Sequence, residues 1–117
     1  MTPSLHGKAA LVTGGAGGIG SAVCHLLAER GARVMVADLA HDRAQALAAD
    51  LRAKGADARA VPVDLGDEGS IQAMVAATVA AFGRLDILNN NAALLTPEMA
   101  MRDLGPEWAA KKRPQHD

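Results

Sequence analysis

The sequence predicts an α/β fold: a doubly wound parallel sheet of about four strands in the order 3-2-1-4. Two observations lead there. Short apolar runs alternate with longer segments whose apolar residues recur at three- and four-residue spacing, so strand and helix periods take turns along the chain. Each helical segment also stops beside a glycine, Gly31, Gly55 or Gly83, where a C-terminal cap belongs. Repeats of this kind build parallel sheets with right-handed crossovers and helices on both faces.

The first run, Lys8-Ala-Ala-Leu-Val-Thr13, reads as a strand that stops at a glycine cluster. From Ile19 the period changes. Ile19, Ala22, Val23, Leu26 and Leu27 are expected to share the buried face of a helix. Arg33-Val-Met-Val-Ala-Asp38 follows as a second, buried strand, and Ala44, Leu47, Ala48 and Leu51 mark a second helix. Ala58 to Asp64 is the third strand; Pro62 inside it suits an edge position. Ile71, Met74, Val75, Thr78, Val79 and Phe82 give a third amphipathic helix, with Asp67 and Glu68 supporting its N-terminus. Leu85-Asp-Ile-Leu-Asn89 is the fourth strand, with Asp86 at its entrance. Met99, Leu104 and Trp108 begin a further pattern that Gly105-Pro106 interrupts, and residues 109–117 read as a polar tail to a single domain over 1–108.

Composition narrows the function. The chain has 117 residues, enough for one domain, and half of them are hydrophobic. With 12 basic against 13 acidic residues there is no field to attract nucleic acid. The single cysteine, Cys24, excludes an internal disulfide and reads as a packed residue, and the four histidines lack metal-ligand spacing. No apolar run reaches the roughly 18 residues that span a bilayer. Met1 to Lys8 lacks a signal-like pattern, so a cytoplasmic protein is expected. There is no tyrosine, so no tyrosine acid can operate within these residues.

The turn Thr13-Gly-Gly-Ala-Gly-Gly-Ile-Gly20 lies between a strand and a helix. Glycines there permit a tight turn and let a pyrophosphate approach the backbone at a helix N-terminus. Gly14, Gly15, Ala16, Gly17, Gly18 and Ile19 are therefore candidate contacts. Asp38 ends the next strand, where a carboxylate accepts hydrogen bonds from adenine-ribose hydroxyls and repels a 2′-phosphate. No Arg or Lys stands in the loop or at Leu39, the residue after Asp38, which favours NAD over NADP.

These residues resemble the short-chain dehydrogenase/reductase family, whose fold is a Rossmann-type sheet. Thr13, Gly14, Gly18 and Gly20 match its TGxxxGxG signature. Asp64, followed by Leu65, looks like the family aspartate that contacts the adenine amino group. Leu85-Asp-Ile-Leu-Asn-Asn-Asn-Ala-Ala93 resembles the family's LDILVNNAG, with Asn90, Asn91 and Ala92 on NNA. Asn89 stands in place of an apolar residue, and Ala93 in place of a glycine. Burying the Asn89 amide without partners would cost about 1–3 kcal/mol.

The resemblance implies an oxidoreductase that moves a hydride between NAD and an alcohol or carbonyl. It also implies a serine, a tyrosine and a lysine for catalysis, which family members carry beyond this stretch. The chain is thus expected to be the cofactor-binding half of such an enzyme and inactive alone. An alternative is a non-catalytic module that binds a dinucleotide or associates with another subunit. Two helices on one face and one on the other leave apolar sheet uncovered, a surface expected to self-associate or meet a partner. A methyltransferase would also place an acid after its second strand, but the glycine spacing and the NNA segment speak against it.

Overall fold

The structure, a computed structural model, describes residues 4–91. Ala92, Ala93, the pattern at Met99, Leu104 and Trp108, and the 109–117 tail lie outside the described residues.

Four strands and three helices alternate: β1 (Ala9–Thr13), α1 (Gly18–Glu29), β2 (Arg33–Asp38), α2 (His41–Ala53), β3 (Ala58–Pro62), α3 (Glu68–Phe82) and β4 (Ile87–Asn90). The strands form one parallel sheet in the order β3-β2-β1-β4. β1 is central and buried along its whole length, which is why its run carries no alternation. Val12, Val34, Val36 and Ala58 point to the face covered by α1 and α2. Ala9, Leu11, Met35 and Ala37 point to the other face, where Met74 and Phe82 of α3 meet them. No helix is long and apolar enough to cross a membrane among the described residues.

Local chemistry sets the ends of the elements. The chain leaves each helix through a glycine of positive φ: Gly31 (96°), Gly55 (97°) and Gly83 (78°). Asp67 caps α3, its side chain accepting from the Gly69 and Ser70 amides. β3 ends at Pro62, two residues earlier than expected, and β4 begins at Ile87 and reaches Asn90. Pro62 sits on the outward side of this edge strand, where a missing N–H costs no ladder bond, and the Val63 amide beyond it still reaches the Asp38 carbonyl at 3.2 Å. Asp86 guards the entrance of β4: its Oδ2 accepts the Ala9 amide at 2.9 Å.

Two helices are rolled relative to their expected faces. In α1 the buried residues are Gly20 and Cys24, with Val23 and Leu27 packed beside them, whereas Ile19 is 73% exposed and Leu26 is also exposed. The cause is close approach at Gly20. A Cβ there would lie 2.1 Å from the Gly14 carbonyl oxygen, so the bare glycine edge, not the bulkier residues beside it, faces the loop. In α3, Met74, Thr78 and Phe82 are buried, but Val75 and Val79 face outward. α2 buries Ala44, Ala48 and Leu51 as expected.

Candidate functional site

The sheet brings the sequence-predicted residues to one edge. Gly14 follows β1, Asp38 closes β2, Asp64 lies just past β3 and Asn90 closes β4, so all four meet at the C-terminal ends of parallel strands. That is where open α/β sheets hold their ligands, because loops diverge there and helix N-termini point inward.

The glycine loop is shaped by two requirements. Gly14 has φ 66°, a conformation that side chains disfavour, and the Gly17 amide closes the turn onto the Gly14 carbonyl at 3.1 Å. Gly20 then allows α1 to start against the loop, as described above. At Gly18 the situation is opposite: an added Cβ would meet nothing within 4 Å, so open space faces the first turn of α1.

That first turn is electrostatically unusual within the molecule. Its N-cap, Gly17, offers no side-chain cap, and no acidic residue stands in the turn. α3 has both the Asp67 cap and Glu68, and α2 has Asp42. Helix geometry leaves the N–H groups of Gly18, Ile19 and Gly20 without intrahelical acceptors, and the dipole adds partial positive charge. The arrangement is suited to a phosphate-bearing ligand.

Asp38 sits across from this turn and is already engaged. Its Oδ2 accepts the Ala16 amide at 3.0 Å and its Oδ1 accepts the Ala40 amide at 2.9 Å. A carboxylate has about four acceptor positions, so capacity for hydroxyl donors remains. Leu39 beside it is 68% exposed, and Ile19 is likewise open, which puts two apolar side chains on the rim. Asp64 is exposed; its Oδ1 accepts the Gly66 amide at 2.9 Å, and its own amide donates to the Ser70 hydroxyl. Leu65 is turned inward against the α3-side core.

At the β4 side, the Thr13 hydroxyl donates to Asn90 Oδ1 at 2.5 Å, and the Asn91 amide donates to the Thr13 carbonyl at 2.9 Å. Thr13 is buried, and the sequence reading did not include it among the site residues. A hydroxyl at the inner end of an all-buried strand was the available signal, since a buried hydroxyl needs a partner. The out-of-pattern Asn89 is half-buried, and its Oδ1 accepts from the Asn91 side-chain amide, which gives that oxygen a partner. Beneath the loop lies Cys24, whose thiol is pushed up to about 12 by burial. It is a packed residue, not a nucleophile. No group of metal-ligating side chains occurs among the described residues.

Known proteins share this arrangement. The pattern of the short chain dehydrogenase family matches residues 8–110. A 2,5-dichloro-2,5-cyclohexadiene-1,4-diol dehydrogenase of Sphingobium indicum is 42% identical over 97 residues, which cover 83% of this chain and 39% of that protein. The D-threitol dehydrogenase of Mycolicibacterium smegmatis is 45% identical over 103 residues, covering 85% of this chain and 40% of that one. Among solved structures, a short chain dehydrogenase/reductase from Burkholderia phymatum in complex with NAD has a TM-score of 0.68 at 32% identity, over 74% of this chain and 31% of that chain. The chain thus spans about two-fifths of the length of the curated relatives it matches. Matched over residues 8–110, and folded across its described residues as the sequence pattern requires, the chain belongs to the short-chain dehydrogenase/reductase family.

Proposed function

We propose that these residues form the nicotinamide-dinucleotide-binding half of a short-chain dehydrogenase/reductase, with NAD preferred over NADP. The observation that carries the reading is the uncapped, acid-free first turn of α1 facing open space at Gly18, with Asp38 across from it. In this reading Gly14, Gly15, Ala16, Gly17, Gly18 and Ile19 hold the pyrophosphate side, and Asp38 and Leu39 hold the adenine ribose. Asp64 and Leu65 flank the adenine, and Asn90, Asn91 and Ala92 border the nicotinamide side. Bound there, the dinucleotide would supply a hydride carrier for alcohol and carbonyl chemistry. The preference rests on charge: Asp38 repels a 2′-phosphate, and no Arg or Lys stands at residues 14–20 or 39 to offset it. With no tyrosine among the 117 residues, the acid–base step implied for the family falls outside them, so binding without turnover is expected.

Calorimetric titration of the 117-residue chain with NADH and NADPH tests the reading. Saturable NADH binding with NADPH at least about tenfold weaker is expected, from a charge repulsion of about 1.4 kcal/mol or more. Equal binding of the two overturns the preference, and binding of neither by folded protein overturns the function.

A second reading, self-association, is favoured by one surface. Leu88 on β4 is 62% exposed and points to the same side of the sheet as α3, whose Val75 and Val79 are also exposed. Sedimentation is expected to show a dimer that Leu88→Lys dissociates; a monomer at high concentration excludes it.

A further inference from the structure

Asp38 is read above as a ribose acceptor, yet without any ligand it already bridges two backbone segments. Its Oδ2 takes the Ala16 amide at the crest of the glycine loop, and its Oδ1 takes the Ala40 amide at the start of α2. Only one other hydrogen bond ties the loop to the end of β2 among the described residues, from the Gly15 amide to the Ala37 carbonyl at 3.2 Å. Charge-assisted bonds of this kind are shorter and stronger than neutral ones. The crest's other supports are local: the small Ala16 side chain rests on the core beneath α1 and α2, and the Gly17 amide reaches the Gly14 carbonyl, while a Cβ at Gly18 would touch nothing.

From this geometry we infer that Asp38 is a positioning residue for the glycine loop, holding the anion-facing first turn of α1 in its binding shape before ligand arrives. The inference rests on the dinucleotide reading for the identity of the ligand, but not for the positioning itself. Asp38 then has two roles. It recognises the ribose with its remaining acceptor positions, and it fixes the loop that faces the pyrophosphate, a group it does not touch. Replacing Asp38 to admit a 2′-phosphate would therefore loosen the pyrophosphate side as well.

Amide hydrogen exchange on the ligand-free, ¹⁵N-labelled chain tests the positioning, with the Val12 and Val34 amides as controls for the fold. Asp38→Ala is expected to speed exchange at Ala16 and Ala40 by about tenfold or more, the loss of one charge-assisted hydrogen bond at each. Asp38→Asn keeps one accepting oxygen, so one of the two amides keeps its protection. It carries the test if the alanine variant does not fold.

A titration with inorganic pyrophosphate, followed at the Gly18, Ile19 and Gly20 amides, separates positioning from simple electrostatics. Removing a carboxylate near an anion site should tighten anion binding by Coulomb's law. A loosened loop weakens it, and a several-fold weakening is expected in Asp38→Ala. Unchanged exchange at both amides, or pyrophosphate binding that tightens, overturns the inference. A wild-type chain that binds no pyrophosphate overturns the dinucleotide reading instead, and exchange at Ala16 and Ala40 still decides the positioning.

Discussion

At the N-terminal end of the sheet, charged side chains close on the backbone and on one another; at the C-terminal end, backbone donors face outward. Asp86 accepts the Ala9 amide and pairs with Arg84 at 2.8 Å. Arg33 donates through Nη1 to the Phe82 carbonyl at 2.9 Å and through Nη2 to the Gly7 carbonyl at 3.1 Å, and its guanidinium lies over the Phe82 ring, as does that of Arg59. These contacts tie the end of α3 to the starts of β1, β2 and β4. Across the molecule, α1 begins with neither cap nor acid, and Gly18 faces open space. One end turns its side chains inward and holds the fold. The other keeps its polar capacity for a ligand.

The largest effect is expected at the end that holds the fold. Phe82→Ala removes a buried ring that packs against β1 and β2 and lies under two guanidinium groups, and should cost about 3–5 kcal/mol in urea unfolding. At the other end, Gly20→Ala places a methyl group 2.1 Å from the Gly14 carbonyl oxygen. It should cost about 3 kcal/mol through forced backbone movement. If Gly20→Ala unfolds with wild-type stability, the close approach that rolls α1 is not what holds it.

Two pH limbs sharpen the comparison. The Arg84 hydrogen bond, and then the Ala9 amide, hold the Asp86 carboxyl below its ordinary value of 3.8. Its folded value is thus lower than its unfolded one, so its contribution is complete above the ordinary value and is lost as pH falls through the lowered one. Cys24, under the loop, shifts the other way. The folded protein keeps the thiol proton up to about 12, while the unfolded chain releases it from 9.0. Stability should therefore fall with rising pH between those values, by up to about 1.4 kcal/mol per pH unit. Asp86→Asn should flatten only the acid limb and Cys24→Ala only the alkaline one, as urea midpoints against pH will show. The smallest effect on stability is expected from Gly18→Ala, within about 0.5 kcal/mol. Its methyl group enters the open space, so NADH binding should weaken while the unfolding curve stays in place.

How much of this was legible depended on the range of the signal. Strand order, helix ends and the glycine loop follow from local rules of period and turn chemistry, and Gly14, Asp38, Asp64 and Asn90 converge as their motifs imply. Ile19, Leu26, Val75 and Val79 did not follow, because α1 and α3 carry apolar residues around more than one face. Which side is buried was decided by a backbone contact at Gly20 and by packing against the sheet. The Asp38 bridge to Ala16, the Thr13–Asn90 bond and the Arg33 clasp on Phe82 join residues 22, 77 and 49 positions apart. Pattern along the chain holds no record of such pairs.

The blunted flank of β3 governs how far the sheet can grow. Val63 donates to the Asp38 carbonyl and Asp57 accepts from Val34, so the odd-numbered residues bond to β2 while Ala58, Ala60 and Pro62 direct their backbone outward. Arg52 donates to the Ala58 carbonyl at 2.8 Å, and Pro62 has no N–H to offer. Fibrous propagation needs two receptive flanks per molecule, and among the described residues this sheet presents one, along β4. Copies joined there would form a closed two-fold pair with both remaining flanks blunted. Crowding the protein should thus end in pairs, not filaments.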